Sequence, residues 1–167
     1  MTRNTFIHIR NFIILALIQV LIFSQIHLFG YATACVYLIF LLKLPRHTSR
    51  NELLIWGFIF GLTVDIFCNT PGINAAAATI MCFVRNIILS QFTSKSIPDD
   101  FTPGAKVLKW GGYLTYATLC IAIFYSVLFL IELFTISQPI TLLTGIVTST
   151  LLTLLFVIVT ECFSRAN

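Results

Sequence analysis

Two ionisable side chains fall inside long apolar segments, and they are the residues best placed to do chemistry. Asp65 ends the stretch Gly-Phe-Ile-Phe-Gly-Leu-Thr-Val-Asp, and Arg85 follows a segment that contains an alanine run at positions 75–78. An ionisable group inside a membrane-spanning segment is costly, so it is a functional candidate by default. The two residues lie at different depths on the predicted helices, which argues against an ion pair between them.

The remaining residues give little support for an enzyme. An intramembrane aspartyl protease needs two carboxylates that share one site, and only Asp65 lies deep in an apolar segment. Neither an HExxH motif nor a glycine-rich phosphate loop occurs. The five cysteines form no CxxC pair, so they are predicted to be small buried side chains. We therefore expect no catalytic activity, no cofactor and no metal site.

The composition predicts a membrane protein. Of the 167 residues, 58% are hydrophobic and 10% are charged, whereas soluble domains carry about 25% charged residues. The apolar segments are longer than the strands of a membrane barrel, which have roughly ten residues of alternating polarity. We predict one all-α transmembrane domain over residues 1–167. Its six spans are predicted at residues 12–29, 31–44, 53–69, 73–92, 109–134 and 140–163, the second being short.

The ten Lys and Arg residues indicate the topology. In a six-span arrangement they all fall on one side, which the positive-inside rule assigns to the cytoplasm together with both termini. Arg46 and Arg50 mark this side, and Arg85 is expected to extend toward its headgroups. A contact of Arg85 with a cytoplasmic partner or a lipid phosphate is the alternative. The basic residues do not cluster with aromatic ones, so the net charge of +4 does not predict nucleic-acid binding.

The third predicted span carries a stripe of special residues. Gly57, Gly61 and Asp65 are spaced by four, which places them on one helix face. Small residues at this spacing let a second helix approach closely, either within the protein or from a partner. Near the outer end we expect a polar cluster formed by Asp65, Asn69, Asn74, Gln25 and His27. This cluster is either a hydrogen-bonded structural carboxylate or a site for a ligand or partner.

One stretch of the chain, from residue 44 to 78, is distinctive. It runs from the loop LPRHTSRNELL through GFIFGLTVDIF to Thr70-Pro71-Gly72 and Asn-Ala-Ala. Pro71 and Gly72 predict a tight turn, because proline suits its first central position and glycine the second, where φ is positive. This stretch resembles the rod shape-determining protein MreD family, whereas the rest of the chain matches only as generic membrane helix.

The resemblance implies a subunit of the bacterial cell-elongation machinery in the inner membrane. MreD-like proteins act with MreC and the actin-like MreB, in a complex that steers peptidoglycan synthesis by RodA and its transpeptidase partner. The family has no established enzymatic activity, and its fold is thought to be similar to the S subunits of energy-coupling-factor transporters. We expect a scaffold subunit. The alternatives are a substrate-binding S-type transport subunit and a lipid-handling protein.

Overall fold

The computed structural model describes residues 35–70, 72–93, 101–132 and 139–166. The described residues form helices and no strand, so the predicted all-α class is confirmed for them. The first predicted span, Gln25, His27 and Pro71 lie outside the described residues. The helices are α1 (Leu38–Lys43), α2 (Arg50–Cys68), α3 (Ile73–Phe92), α4 (Ala105–Glu132) and α5 (Pro139–Ala166).

The helices α2 to α5 indicate a membrane protein. All of α2, α3 and α4, and residues Leu143–Phe163 of α5, are long and apolar enough to cross a bilayer. At 1.5 Å per residue, about 20 residues cover a hydrocarbon core of roughly 30 Å. Their outward side chains include large exposed apolar groups such as Phe58, Ile66, Leu151 and Phe163. A surface of this kind is suited to lipid rather than to water.

The second predicted span, residues 31–44, differs in its described part. Only Leu38–Lys43 form α1, a helix of six residues, which is about 9 Å long and cannot cross a bilayer. Leu38, Leu41 and Leu42 have no exposed surface. The helix contacts α2, α3 and α4. Its apolar residues therefore serve the protein core, which a composition-based prediction cannot distinguish from contact with lipid.

Local signals set the ends of α2 and α3. Ser49 caps α2: its hydroxyl accepts from the Glu52 amide, and its own amide donates to the Glu52 carboxylate, both at 3.3 Å. This capping box starts the helix at Arg50, ahead of the predicted start at residue 53. Asn69 ends α2 in the left-handed conformation with φ 55°. Gly72, at φ 79°, precedes α3 as its N-cap residue.

The glycine stripe forms the internal contact between α2 and α3, which we call the hairpin seam (Gly57, Gly61 and the α3 residues facing them). A Cβ atom on Gly61 would lie 2.4 Å from the Cα of Ala75, and one on Gly57 would lie 2.8 Å from the Sγ of Cys82. At Gly61 the obstructing atoms belong to the α3 backbone. Of the two roles expected for these glycines, the structure therefore shows internal packing, and α3 already occupies the face.

We predict that Gly61→Ala lowers stability by about 1–3 kcal/mol, because the added methyl group must displace the backbone of α3. Gly111→Ala is the matched control, since a Cβ atom there meets nothing within 4 Å. It should change stability by less than about 1 kcal/mol. Thermal unfolding of both variants in a mild detergent tests this prediction. Equal unfolding midpoints for the two variants would show that the seam is not tightly packed.

Candidate functional site

Asp65 links the end of α2 to the start of α3. Its backbone carbonyl accepts the amides of Asn69 and of Thr70, the latter at 3.1 Å, and so closes α2. Its carboxylate reaches α3, where Oδ1 accepts the Asn74 amide at 3.0 Å and Oδ2 accepts the Ala75 amide at 2.8 Å. The first amides of a helix lack partners within that helix. Asp65 therefore caps α3 from the neighbouring helix.

Two side chains complete the environment of this carboxylate. Thr70 Oγ1 donates to Oδ1 at 2.6 Å, and Asn74 Nδ2 donates to it at 3.0 Å. The carboxylate thus accepts four hydrogen bonds, and Asp65 is only 3% exposed. It also lies at the positive end of the α3 dipole. These contacts offset the cost of burying a charge and explain Asp65 as a structural residue.

The other members of the expected polar cluster have different positions. Asn74 belongs to it through its side chain and its amide, whereas Asn69 is exposed and contributes its left-handed backbone. A cavity of about 460 Å³ opens beside Asp65 and is also lined by Leu62, Ile66, Asn69, Thr70 and Gly72. Because Asp65 is only 3% exposed and its carboxylate accepts four hydrogen bonds from the protein, a molecule in this cavity would have little direct contact with that carboxylate.

Arg85 has no exposed surface, so the expectation that it extends to the lipid headgroups is wrong. Its Nε donates to the Tyr116 hydroxyl at 2.9 Å, and its Nη2 donates to the carbonyl oxygens of Leu42, at 3.1 Å, and Leu44. These carbonyls lie at the end of α1, where helix carbonyls lack partners and a cation is favourable. Arg85 thus turns inward because α1 and Tyr116 supply acceptors inside the bundle.

Within the described part of the chain, the charge of Arg85 is stabilised by hydrogen bonds to neutral polar groups rather than by an ion pair. Its remaining contact is from Nη1 to Oδ1 of Asn86, at 3.1 Å. Among the described residues, no carboxylate lies within ion-pair distance of its guanidinium. A buried cation of this kind keeps its positive potential, which hydrogen bonds to neutral groups stabilise but do not cancel.

Glu161 is a second buried carboxylate, which the sequence analysis did not single out. Its Oε1 accepts the Ala105 amide at 2.8 Å and so caps α4, while its Oε2 lies 2.8 Å from Nζ of Lys43. Glu161 therefore connects α5 to the start of α4 and to the end of α1. The sequence does carry a signal for it, because Ser149 and Thr153 place small polar residues at a spacing of four in an apolar segment, and Val157 and Glu161 continue this spacing. The structure shows that Ser149, Thr153 and Val157 are fully buried.

The charged side chains of Asp65, Arg85 and Glu161 all cap the ends of neighbouring helices. The described residues contain no group of three or more His, Cys, Asp or Glu side chains that could hold a metal ion. Of the basic residues expected on the cytoplasmic side, Arg46 lies in the loop before α2, and its backbone amide donates to the Phe101 carbonyl at 3.0 Å.

Comparison with protein-family models, curated proteins and solved structures gives no significant match.

We predict that Asp65→Asn destabilises the protein by about 1–3 kcal/mol, because an amide group presents a donor where backbone amides need an acceptor. Glu52→Gln removes the same charge from α2, and glutamine can keep the capping box. Unfolding midpoints and amide hydrogen exchange at positions 74 and 75 measure the effect. Faster exchange should appear only in Asp65→Asn. Unchanged exchange in that variant would refute the capping role.

For Arg85→Lys we expect a loss of about 2 kcal/mol or more, since one ammonium group cannot reach Tyr116, Asn86 and both carbonyls together. Lys106→Gln, at an exposed position of α4, serves as the control and should leave stability within about 0.5 kcal/mol. Thermal unfolding in detergent compares the two. If Arg85→Lys is as stable as the wild type, Arg85 does not hold α1 in place.

Proposed function

We propose that the protein is a non-catalytic scaffold subunit of the bacterial cell-elongation complex, similar to MreD. It lies in the bacterial inner membrane, which α2 to α5 are long and apolar enough to cross. One observation supports the proposal: the residues on which the resemblance to MreD is based share a single structural role. Gly57, Gly61, Asp65 and Asn74 all form or cap the α2–α3 hairpin, as expected for residues that shape a scaffold rather than act on a substrate.

The partner surface must lie outside the hairpin seam, because α3 fills that face. Large apolar side chains point outward from α2, including Phe58 and Ile66, and from α5, including Leu151 and Leu155. A single membrane helix such as that of MreC could pack on either set. Scaffolding by such a surface needs no free polar group, which agrees with the engagement of Asp65, Arg85 and Glu161 in capping.

The S-type transport subunit is the second candidate, and the cavity beside Asp65 is the observation that favours it. Its volume of about 460 Å³ is in the range of small-molecule sites. The burial of the Asp65 carboxylate counts against it, since only 3% of this residue is exposed to a ligand in the cavity. The scaffold is therefore the better-supported proposal.

Affinity purification of the tagged protein from native membranes in mild detergent, followed by mass spectrometry, tests the proposal. We expect recovery of MreC, with or without the cell-wall synthase, and none with an equally tagged unrelated membrane protein. A photo-crosslinking residue at Leu151 or at Phe58 then identifies which outward face contacts the partner. Recovery of an ATPase pair with a transmembrane coupling subunit would refute the scaffold and support the transport subunit.

A further inference from the structure

A second cavity, which we call the basic groove, lies between α2 and α3 at the end of the bundle where α2 begins and α3 ends. Its volume is about 320 Å³, and it is lined by Arg50 of α2 and by Cys82, Phe83, Asn86, Ile87 and Ser90 of α3. Phe83 is 46% exposed and Ile87 is 55% exposed. The groove therefore combines polar groups with an apolar floor that opens toward the surroundings of the bundle.

Arg50 supplies an exposed cation whose position helix stability does not explain. It is the first residue of α2, where the positive end of the helix dipole disfavours a cation. Ser49 and Glu52 already cap this end. The Arg50 guanidinium carbon lies 4.1 Å from the centre of the Phe83 ring, which holds the charge over the groove. An anion bound in the groove would meet this cation.

Asn86 supplies a donor, and Arg85 fixes its orientation. A guanidinium has only donors, so the Asn86 atom that faces Arg85 must be its oxygen. The amide nitrogen is then on the other side, and no described residue accepts its hydrogen bonds. Behind Asn86 lies the charge of Arg85, which no described carboxylate neutralises. The wall of the groove is thus electropositive.

We propose that the basic groove binds an anionic phospholipid, with its phosphate against Arg50 and Asn86 and an acyl chain along Phe83 and Ile87. The groove lies near one end of the bundle, since Arg50 is the first residue of α2, a helix of membrane-spanning length. Arginine is well suited to phosphate because it can donate two parallel hydrogen bonds. The apolar floor selects a lipid over a soluble phosphate. This inference is independent of the proposed scaffold function.

The test measures thermal unfolding of the purified protein in a neutral detergent with three added probes. These are dioleoylphosphatidylglycerol, dioleoylphosphatidylcholine and sn-glycerol 3-phosphate. We expect phosphatidylglycerol to raise the unfolding midpoint by about 3 °C more than phosphatidylcholine does. Glycerol phosphate lacks acyl chains and should have no effect. Equal shifts with the two lipids, or a full shift with glycerol phosphate, would overturn the proposal.

Three variants locate the effect in the groove. Arg50→Gln should lose most of the difference between the two lipids. Asn86→Asp keeps an acceptor for Arg85, and so retains the fold, but it turns a negative charge toward the phosphate and should also lose the difference. Lys106→Gln removes one positive charge from the first turn of α4, outside the groove. This variant should keep the difference between the two lipids. Equal losses in Arg50→Gln and Lys106→Gln would indicate general surface attraction and would refute the site.

Discussion

The hydrogen bonds between the Asp65 carboxylate and the first amides of α3 are the interaction on which the rest of the hairpin depends. A carboxylate inside an apolar bundle is stable only when donors surround it. Two of its four donors are backbone amides of α3, so the charge is satisfied only if α3 begins at Ile73 and lies directly against α2. Gly61, one turn earlier, permits this approach because it has no side chain.

The opposite end of the bundle uses the same physical solution. Glu161 of α5 caps the start of α4, and Arg85 of α3 caps the end of α1. Each charge is directed inward onto unpaired backbone groups of another helix, where the helix dipole has the favourable sign. The outward surface of the long helices is consequently left to apolar side chains. Among the described residues, Arg50 is one of the few charged groups of these helices that point outward.

The sequence predicted those features that depend on local pattern. The spacing of Gly57, Gly61 and Asp65 defined one helix face, and α3 occupies the predicted residues 73–92. Features set by tertiary contacts could not be predicted. A short apolar segment fits a membrane span and a buried helix equally well, so the core position of α1 was not evident. Arg85 was expected at the headgroups because the pattern does not reveal that the α1 carbonyls and Tyr116 lie within its reach.

Disulfide crosslinking in native membranes tests most directly whether the glycine face is an internal seam. A Cβ atom on Gly57 would lie 3.3 Å from the Cβ of Cys82, close to the separation of about 3.5–4.5 Å found in disulfides. In a chain whose other four cysteines are replaced by alanine, Gly57→Cys should form an intrachain disulfide with Cys82 under mild oxidation. Gly111→Cys should not. Disulfides that join Gly57→Cys to a second protein, with none to Cys82, would contradict the account and show that the face is open to a partner.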